Sequence, residues 1–129
     1  MINTDRQTLR AFRKEDVDQL AAVMDDPRVM AFSDHGILGD EARRDWLQRA
    51  LQSSGDHELP LVQAICLNPD NCLIGYASLS NDPQRVNDTE AELGFRLAHA
   101  SWGYGFATEA AQAMIAHARN LSGTQRFVA

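Results

Sequence analysis

Residues 102–110 read Trp-Gly-Tyr-Gly-Phe-Ala-Thr-Glu-Ala and stand between a strand-like segment, residues 92–97, and a helix-like segment that runs to about residue 119. In a glycine-rich turn that opens a helix, several backbone N–H groups have no partner within the helix and point toward one place. The positive end of the helix dipole lies at the same place. Glycines let a ligand approach the backbone closely because no Cβ stands in the way. The stretch therefore predicts a seat for a phosphate or pyrophosphate group. The alternative is a tight strand-to-helix connection without a ligand.

Two common phosphate-binding motifs do not fit this turn. A P-loop ends in Gly-Lys followed by Ser or Thr, and the chain contains no such ending. A dinucleotide-binding fingerprint requires a small residue three positions after Gly105, where this chain has Thr108. The fingerprint also requires an acidic residue about twenty positions further on, where the chain is nearly finished.

The turn resembles the pyrophosphate loop of the GNAT acyltransferases, whose pattern is Gln/Arg-x-x-Gly-x-Gly/Ala and which bind acetyl-coenzyme A (acetyl-CoA). Residues 102–107 align with this pattern, except that Trp102 replaces Gln or Arg. That replacement is typical of a branch resembling the ribosomal-protein-alanine N-acetyltransferases, in which a Trp-Gly-x-Gly-aromatic-Ala-Thr-Glu-Ala run is usual. Residues 8–10, 73–76 and 91–95 resemble the first, third and fourth strands of that branch, in the family's order.

The resemblance covers essentially the whole chain and implies an α/β fold of the α+β GNAT type. We expect a mixed, mostly antiparallel central sheet flanked by helices, in a single domain over residues 1–129. Family members continue for another helix and about two more strands, so we expect the domain to be incomplete at the C-terminus and the sheet to be truncated after the start of its fifth strand. The continuation supplies, in many members, a Tyr that protonates the leaving thiolate.

Periodicity and turn residues predict the individual elements. Strands are predicted at residues 7–12, 61–67, 72–79, 89–97 and 125–129, and helices at residues 14–24, 40–51 and 106–119. Asp40 is expected to cap the second helix.

The apolar end of the chain would leave an open sheet edge with unpaired backbone groups. Truncation of the chain best explains such an open edge. The alternatives are a naturally short protein, or a partner chain that completes the sheet, for example in a homodimer through the open edge. We expect the chain alone to be a poor catalyst that is marginally stable or self-associated.

The composition limits the classes of partner. The chain has 129 residues, 44% of them hydrophobic and 23% charged, as in ordinary soluble globular domains. A net charge of −6 argues against nucleic acid and against an anionic membrane, and it is compatible with a cationic amine substrate. The absence of a membrane-length apolar run and of a signal peptide predicts a cytoplasmic protein. Cys66 and Cys72 are expected to be free thiols, and no metal site is expected.

The resemblance assigns roles to residues of the loop and of the strand before it. The implied reaction is direct attack of an amine on the acetyl-CoA thioester, which requires a base. Glu92 is the candidate catalytic base because the family often places a carboxylate on this strand; the alternative is a surface or paired carboxylate. The strand's free backbone groups pair with the pantetheine arm in the family. The candidate cofactor-binding residues are Phe95, Arg96, Leu97, Gly103, Tyr104, Gly105, Phe106, Ala107 and Thr108.

Other polar or aromatic residues have ordinary structural interpretations. Trp102 is expected to anchor the loop, and His117 to pack on its helix. Residues 33–35 either border the acceptor site or form a plain polar loop. Two functions remain open: an acetyl-CoA-dependent N-acetyltransferase acting on a protein N-terminal or small-molecule amine, and a noncatalytic acyl-CoA-binding module or inactive fragment. The sequence does not name the acceptor, because acceptor loops vary within one fold.

Overall fold

The structure is a computed structural model, and it describes residues 1–31, 36–52, 61–80, 90–122 and 126–128. Its six strands form one sheet in sequence order. The strands are β1 (Ile2–Asn3), β2 (Gln7–Arg10), β3 (Leu61–Leu67), β4 (Cys72–Ser80), β5 (Glu90–Leu97) and β6 (Arg126–Val128). Neighbours run antiparallel from β1 to β5, and β6 runs parallel to β5.

The helices lie between these strands in the chain. They are α1 (Ala21–Met24), α2 (Pro27–Met30), α3 (Asp40–Leu51) and α4 (Phe106–Ser122), with 3₁₀ turns at Lys14–Val17 and His99–Ser101. The expected mixed, mostly antiparallel sheet flanked by helices is therefore confirmed. Strand β1 was not predicted, since two residues are too few for any alternation to show.

Two local expectations were wrong, and buried or paired charges explain both. The helix predicted over residues 14–24 is broken into a 3₁₀ turn and α1. The Asp16 carboxylate accepts two hydrogen bonds from the Arg10 guanidinium, both at 2.9 Å, and one from the Arg13 N–H at 2.8 Å, which ties this turn to β2. Asp40 does not cap α3; Gly39 holds the cap position. The Asp40 carboxylate instead accepts from Arg44 Nε at 3.0 Å.

Each face of the sheet carries its own hydrophobic core. One core lies between the sheet and α4, where Leu9, Ile65 and Met114 are fully buried. The other core lies under α1, α2 and α3, where Leu20, Met24 and Cys66 are fully buried. On this second face the Trp46 ring packs between Phe12 and Tyr76, with ring centroids 5.3 and 4.8 Å away. Cys66 is buried and Cys72 is exposed, and both are free thiols as expected.

Within the described ranges, no helix has the length and apolar character that a bilayer crossing requires.

Candidate functional site

The loop before α4 takes a shape that glycine permits. Gly103 and Gly105 have φ angles of +84° and +78°, in the left-handed region that side chains disfavour. A Cβ atom at Gly103 would meet no described atom within 4 Å, and one at Gly105 would meet only Arg6 Nη2, at 3.6 Å. The side of the loop on which side chains would stand is therefore open.

The backbone N–H groups of this loop are available to a ligand. In the part of the chain that the structure describes, the N–H groups of residues 103–108 donate to no protein atom, whereas the next one, Glu109 N–H, donates to the Gly105 carbonyl at 3.1 Å. They stand at the N-terminus of α4, a helix of 17 residues whose dipole places positive potential there. The arrangement can hold an anion such as a phosphate group.

The neighbouring strand contributes backbone groups on its outer side. Strand β6 pairs with β5 at Glu90 to Glu92, and the described residues include no strand paired with the later residues of β5 on that side. Ala98 N–H donates to the Ile74 carbonyl of β4 at 2.7 Å. Because backbone groups alternate in direction along a strand, those of Phe95 and Leu97 point away from β4. The Leu97 carbonyl agrees with this, since it accepts from Trp102 Nε1 at 2.9 Å.

A cavity of about 360 Å³ joins the loop to this edge of β5, with Val29 of α2 contributing to its wall. The structure brings together in its lining every predicted cofactor-binding residue except Tyr104: Phe95, Arg96, Leu97, Gly103, Gly105, Phe106, Ala107 and Thr108. Tyr104 is 62% exposed and stacks on Phe106, with ring centroids 5.6 Å apart. The loop and the strand edge thus border a single space suited to an elongated ligand with an anionic part.

Trp102 is both an anchor and part of the wall. Besides its hydrogen bond to Leu97, its ring lies 4.6 Å from that of His99, and the residue is 45% exposed and lines the cavity. The indole N–H therefore holds the 3₁₀ turn and the loop against the end of β5, while part of the ring remains open to a ligand.

Glu92 lies in the same strand but outside the cavity lining. It is half-buried, with Ser80 of β4 and Val128 of β6 as its register partners. It stands three positions before Phe95, which at about 3.3 Å per residue is roughly 10 Å along β5. The structure thus places the predicted base near one end of the cavity wall and not in it.

Two ionisable groups near these elements have shifted pKa values. Burial raises the pKa of Tyr76, and the nearby Arg96 charge offsets only part of this, so Tyr76 is a neutral phenol at pH 7. Burial raises the pKa of Glu109, but hydrogen bonds from Thr4 and Arg6 lower it by more than burial raises it. The pKa of Glu109 therefore lies below its usual range. Glu109, in the first turn of α4, is therefore ionised at neutral pH.

Sequence reasoning missed Arg6 and Gln7, whose side chains donate hydrogen bonds to carbonyl groups of the loop. Arg6 Nη1 donates to the Tyr104 carbonyl at 2.9 Å, and Gln7 Nε2 donates to the Phe106 carbonyl at 2.9 Å. No periodicity or motif could have identified these contacts, because they join positions 98 and 99 residues apart in the chain.

Three further sequence-based predictions concern residues 33–35, His117 and metal binding. Residues 33–35, the proposed border of an acceptor site, lie outside the described residues. His117 is half-buried on α4, as expected for a helix residue. Within the described ranges, no group of three or more His, Cys, Asp or Glu residues could hold a metal ion.

Comparison with known proteins agrees with this geometry. A family model described as "Acetyltransferase (GNAT) domain" matches residues 6–129. The Bacillus licheniformis protein described as "Uncharacterized N-acetyltransferase p20" is 31% identical over 113 residues, which are 87% of this chain and 62% of that protein. The chain thus spans less than two thirds of the length of this relative.

Solved structures share the fold at low sequence identity. A GNAT-family acetyltransferase from Bacillus anthracis superposes with a TM-score of 0.84 at 20% identity, covering 98% of this chain and 70% of that one. A proposed ribosomal-protein-serine acetyltransferase from Vibrio cholerae superposes with a TM-score of 0.70 at 16% identity, again covering 98% of this chain and 70% of that one.

Proposed function

Since the chain belongs to the GNAT acetyltransferase family, we propose that it is an N-acetyltransferase that transfers an acetyl group from acetyl-CoA to a primary amine. The observation that carries this proposal is one cavity bordered both by the glycine loop, whose N–H groups have no partner among the described residues, and by the end of β5. We further propose that residues 1–129 belong to one such domain.

The residues present fit the anionic part of acetyl-CoA. We assign its pyrophosphate to the N–H groups of residues 103–108, where two left-handed glycines keep the approach free of side chains. We assign its pantetheine arm to the outer edge of β5, where the backbone groups of Phe95 and Leu97 face away from β4. Arg96 and Thr108 line the same space.

The chemistry then divides between the bound molecule and the chain. Acetyl-CoA, when bound, would supply an activated acetyl thioester, whose C–S bond breaks as the amine is acetylated, so that coenzyme A leaves and its thiolate takes up a proton to become a thiol. Glu92 is our candidate for the group that takes a proton from the attacking amine, directly or through a water molecule. The outward N–H groups of β5 are our candidates for hydrogen-bond donors to the acetyl oxygen.

For the acceptor, we propose a protein N-terminal amine or a small-molecule amine. Support comes from the resemblance of residues 102–110 to the ribosomal-protein-alanine N-acetyltransferases and from the name of the Vibrio cholerae neighbour. A screen of N-terminal peptides and small amines, read by the thiol released from acetyl-CoA, tests this choice. Binding of acetyl-CoA without turnover on any amine would instead favour a noncatalytic acyl-CoA-binding module.

The cofactor site is tested by Gly105→Val. The branched side chain would occupy the open side of the loop, and it disfavours the φ of +78°. We expect acetyl-CoA to bind at least about ten-fold more weakly in calorimetric titration, a loss of ~1.4 kcal/mol.

Two further variants separate the loss of the site from the loss of folding. Gly105→Asn adds a side chain that tolerates a left-handed φ, so it should weaken binding with less effect on stability. Gly36→Val is the matched control, because Gly36 also has a left-handed φ, of +68°, and a Cβ there would meet no described atom within 4 Å. Wild-type affinity in a folded Gly105→Asn protein would contradict the site assignment.

A further inference from the structure

Three side chains at the start of β2 contact the loop and the first turn of α4. We call Thr4, Arg6 and Gln7 the N-terminal brace. Arg6 is its centre: Nη1 donates to the Tyr104 carbonyl at 2.9 Å, Nε donates to Glu109 Oε1 at 2.8 Å, and the guanidinium carbon lies 4.4 Å from the centre of the Phe106 ring. One side chain therefore contacts the residue on each side of the left-handed Gly105, and also the first turn of the helix.

The other two members fix the brace to the sheet and to the helix. Gln7 is fully buried in β2 and donates from Nε2 to the Phe106 carbonyl at 2.9 Å. Thr4 donates from its hydroxyl to Glu109 Oε2 and also accepts from Gln7 N–H at 3.0 Å. The loop is thus held against the start of β2 by residues that do not themselves line the cavity.

The charges explain why an arginine is useful at this position. Glu109 is a carboxylate in the first turn of α4, close to the N–H groups that we assign to an anionic cofactor. An uncompensated carboxylate there would repel a pyrophosphate. Arg6 reaches it with two donors, Nε at 2.8 Å and its own backbone N–H at 3.2 Å, and so neutralises it, while Arg6 Nη2 stays 3.6 Å from where a Cβ on Gly105 would stand.

We propose that Arg6 is a positioning residue for acetyl-CoA, which holds the loop in its binding conformation and neutralises Glu109 before the cofactor arrives. This inference rests on the proposed function. It differs from a purely structural role in what it predicts. Arg6 is 45% exposed and Glu109 21%, and ion pairs of such exposure contribute little to folding. The effect of losing Arg6 should therefore fall on cofactor affinity and not on stability.

The experiment measures acetyl-CoA affinity by calorimetry at low and high salt for Arg6→Gln, Glu109→Gln, the double variant and Arg6→Lys. We expect Arg6→Gln to weaken binding about ten-fold (~1.4 kcal/mol), and the weakening to shrink at high salt as the Glu109 charge is screened. Glu109→Gln should weaken binding less than Arg6→Gln does, because it removes one anchor of Arg6 but leaves no carboxylate uncompensated. The double variant should bind more tightly than Arg6→Gln, but only by the part of the loss that disappears at high salt.

Arg6→Lys separates position from charge. Lysine keeps the charge but lacks the planar fork that reaches both Tyr104 and Glu109. We therefore expect it to recover part of the affinity, at most. The control is Arg44→Gln, since Arg44 forms an exposed ion pair with Asp40 on α3, with N and O 3.0 Å apart, and α3 packs on the opposite face of the sheet from α4. Urea unfolding of each variant reports whether stability has changed.

The outcomes are distinguishable. If wild type does not bind acetyl-CoA, the proposed function fails. If wild type binds and Arg6→Gln binds equally well, only the role of Arg6 is overturned. Full recovery in Arg6→Lys would overturn the positioning role, and a salt-independent loss in Arg6→Gln would overturn the neutralisation of Glu109. Should Arg6→Gln fail to fold, Arg6→Lys and Glu109→Gln test the same two contributions separately.

Discussion

Glu92 is the residue whose proposed role depends most on what surrounds it. It is half-buried in β5 beside the point where β6 pairs, and it does not line the cavity. A base at that position would reach the attacking amine either directly or through a water molecule. Its loss should therefore affect turnover more than cofactor affinity.

Glu92→Gln tests this role, because the substitution keeps the side-chain shape and removes the proton acceptor. We expect turnover to fall by about 10²–10⁴-fold, the usual contribution of a general base, with acetyl-CoA affinity nearly unchanged. The rate should be measured across the pH range beside Glu41→Gln, a change at an exposed residue of α3. An undiminished rate at every pH would exclude Glu92 and would leave water or ionisation of the substrate as the source of free amine.

At this scale, sequence reasoning can reach only those features that neighbours in the chain create together. The loop residues could be predicted because a Gly-x-Gly turn before a helix creates its N–H cluster locally. The partner of Glu109 could not, since Arg6 lies 103 positions away in the chain. The contact of Arg6 with the loop exists only once β2 and α4 are placed side by side.

At the scale of elements, the same distinction explains which boundaries could be predicted. Helix α3 begins and ends where its apolar stripe predicted, and the part of that stripe from Trp46 to Leu51 faces one core. The helix predicted over residues 14–24 carries an equally regular stripe, but the buried pair of Arg10 and Asp16 ties its first turn to β2. Although its two residues are only six positions apart, an ion pair of this kind leaves no periodic signal in the sequence.

Gly75 shows how two strands can set the wall of the cavity. A Cβ on Gly75 in β4 would lie 2.1 Å from the Arg96 carbonyl oxygen of β5 and 2.8 Å from Leu97 Cδ2. The close approach occurs at an irregularity in the pairing of β3 and β4. Because Arg96 and Leu97 also line the cavity, the absence of a side chain at Gly75 determines where that wall stands.

We therefore expect Gly75→Ala to force β4 and β5 apart. Overpacking against backbone typically costs about 1–3 kcal/mol of unfolding free energy, and the displaced wall should also weaken acetyl-CoA binding. Gly94→Ala on β5 is the matched control, since among the described atoms its Cβ would meet only Ser78 Oγ, at 3.2 Å, and that side chain can rotate. Urea unfolding and calorimetry should show a clearly larger loss for Gly75→Ala. Equal losses in the two variants would contradict this account.

At the scale of the whole molecule, the fold class could be predicted from the order of strand and helix segments and their resemblance to one family. What the sequence did not show is how the two faces of the sheet divide the core. Helix α4 covers one face, with Met114 fully buried, and α1 to α3 cover the other, with Met24 fully buried. The cavity lies where the two sides meet, because Val29 belongs to the second core and Phe106 packs against the first.

This division predicts how the cofactor affects stability. Met114→Ala and Met24→Ala should each lower the unfolding free energy by about 2–5 kcal/mol, the usual cost of such a cavity. If both cores unfold as one unit, each variant should show a single transition. Acetyl-CoA at a hundred times its dissociation constant for that variant should then add the same ~2.7 kcal/mol to both. Chemical unfolding of the two variants with and without acetyl-CoA measures this. Two separate transitions, or a gain confined to one variant, would show that the cores fold independently and that the cofactor stabilises only one of them.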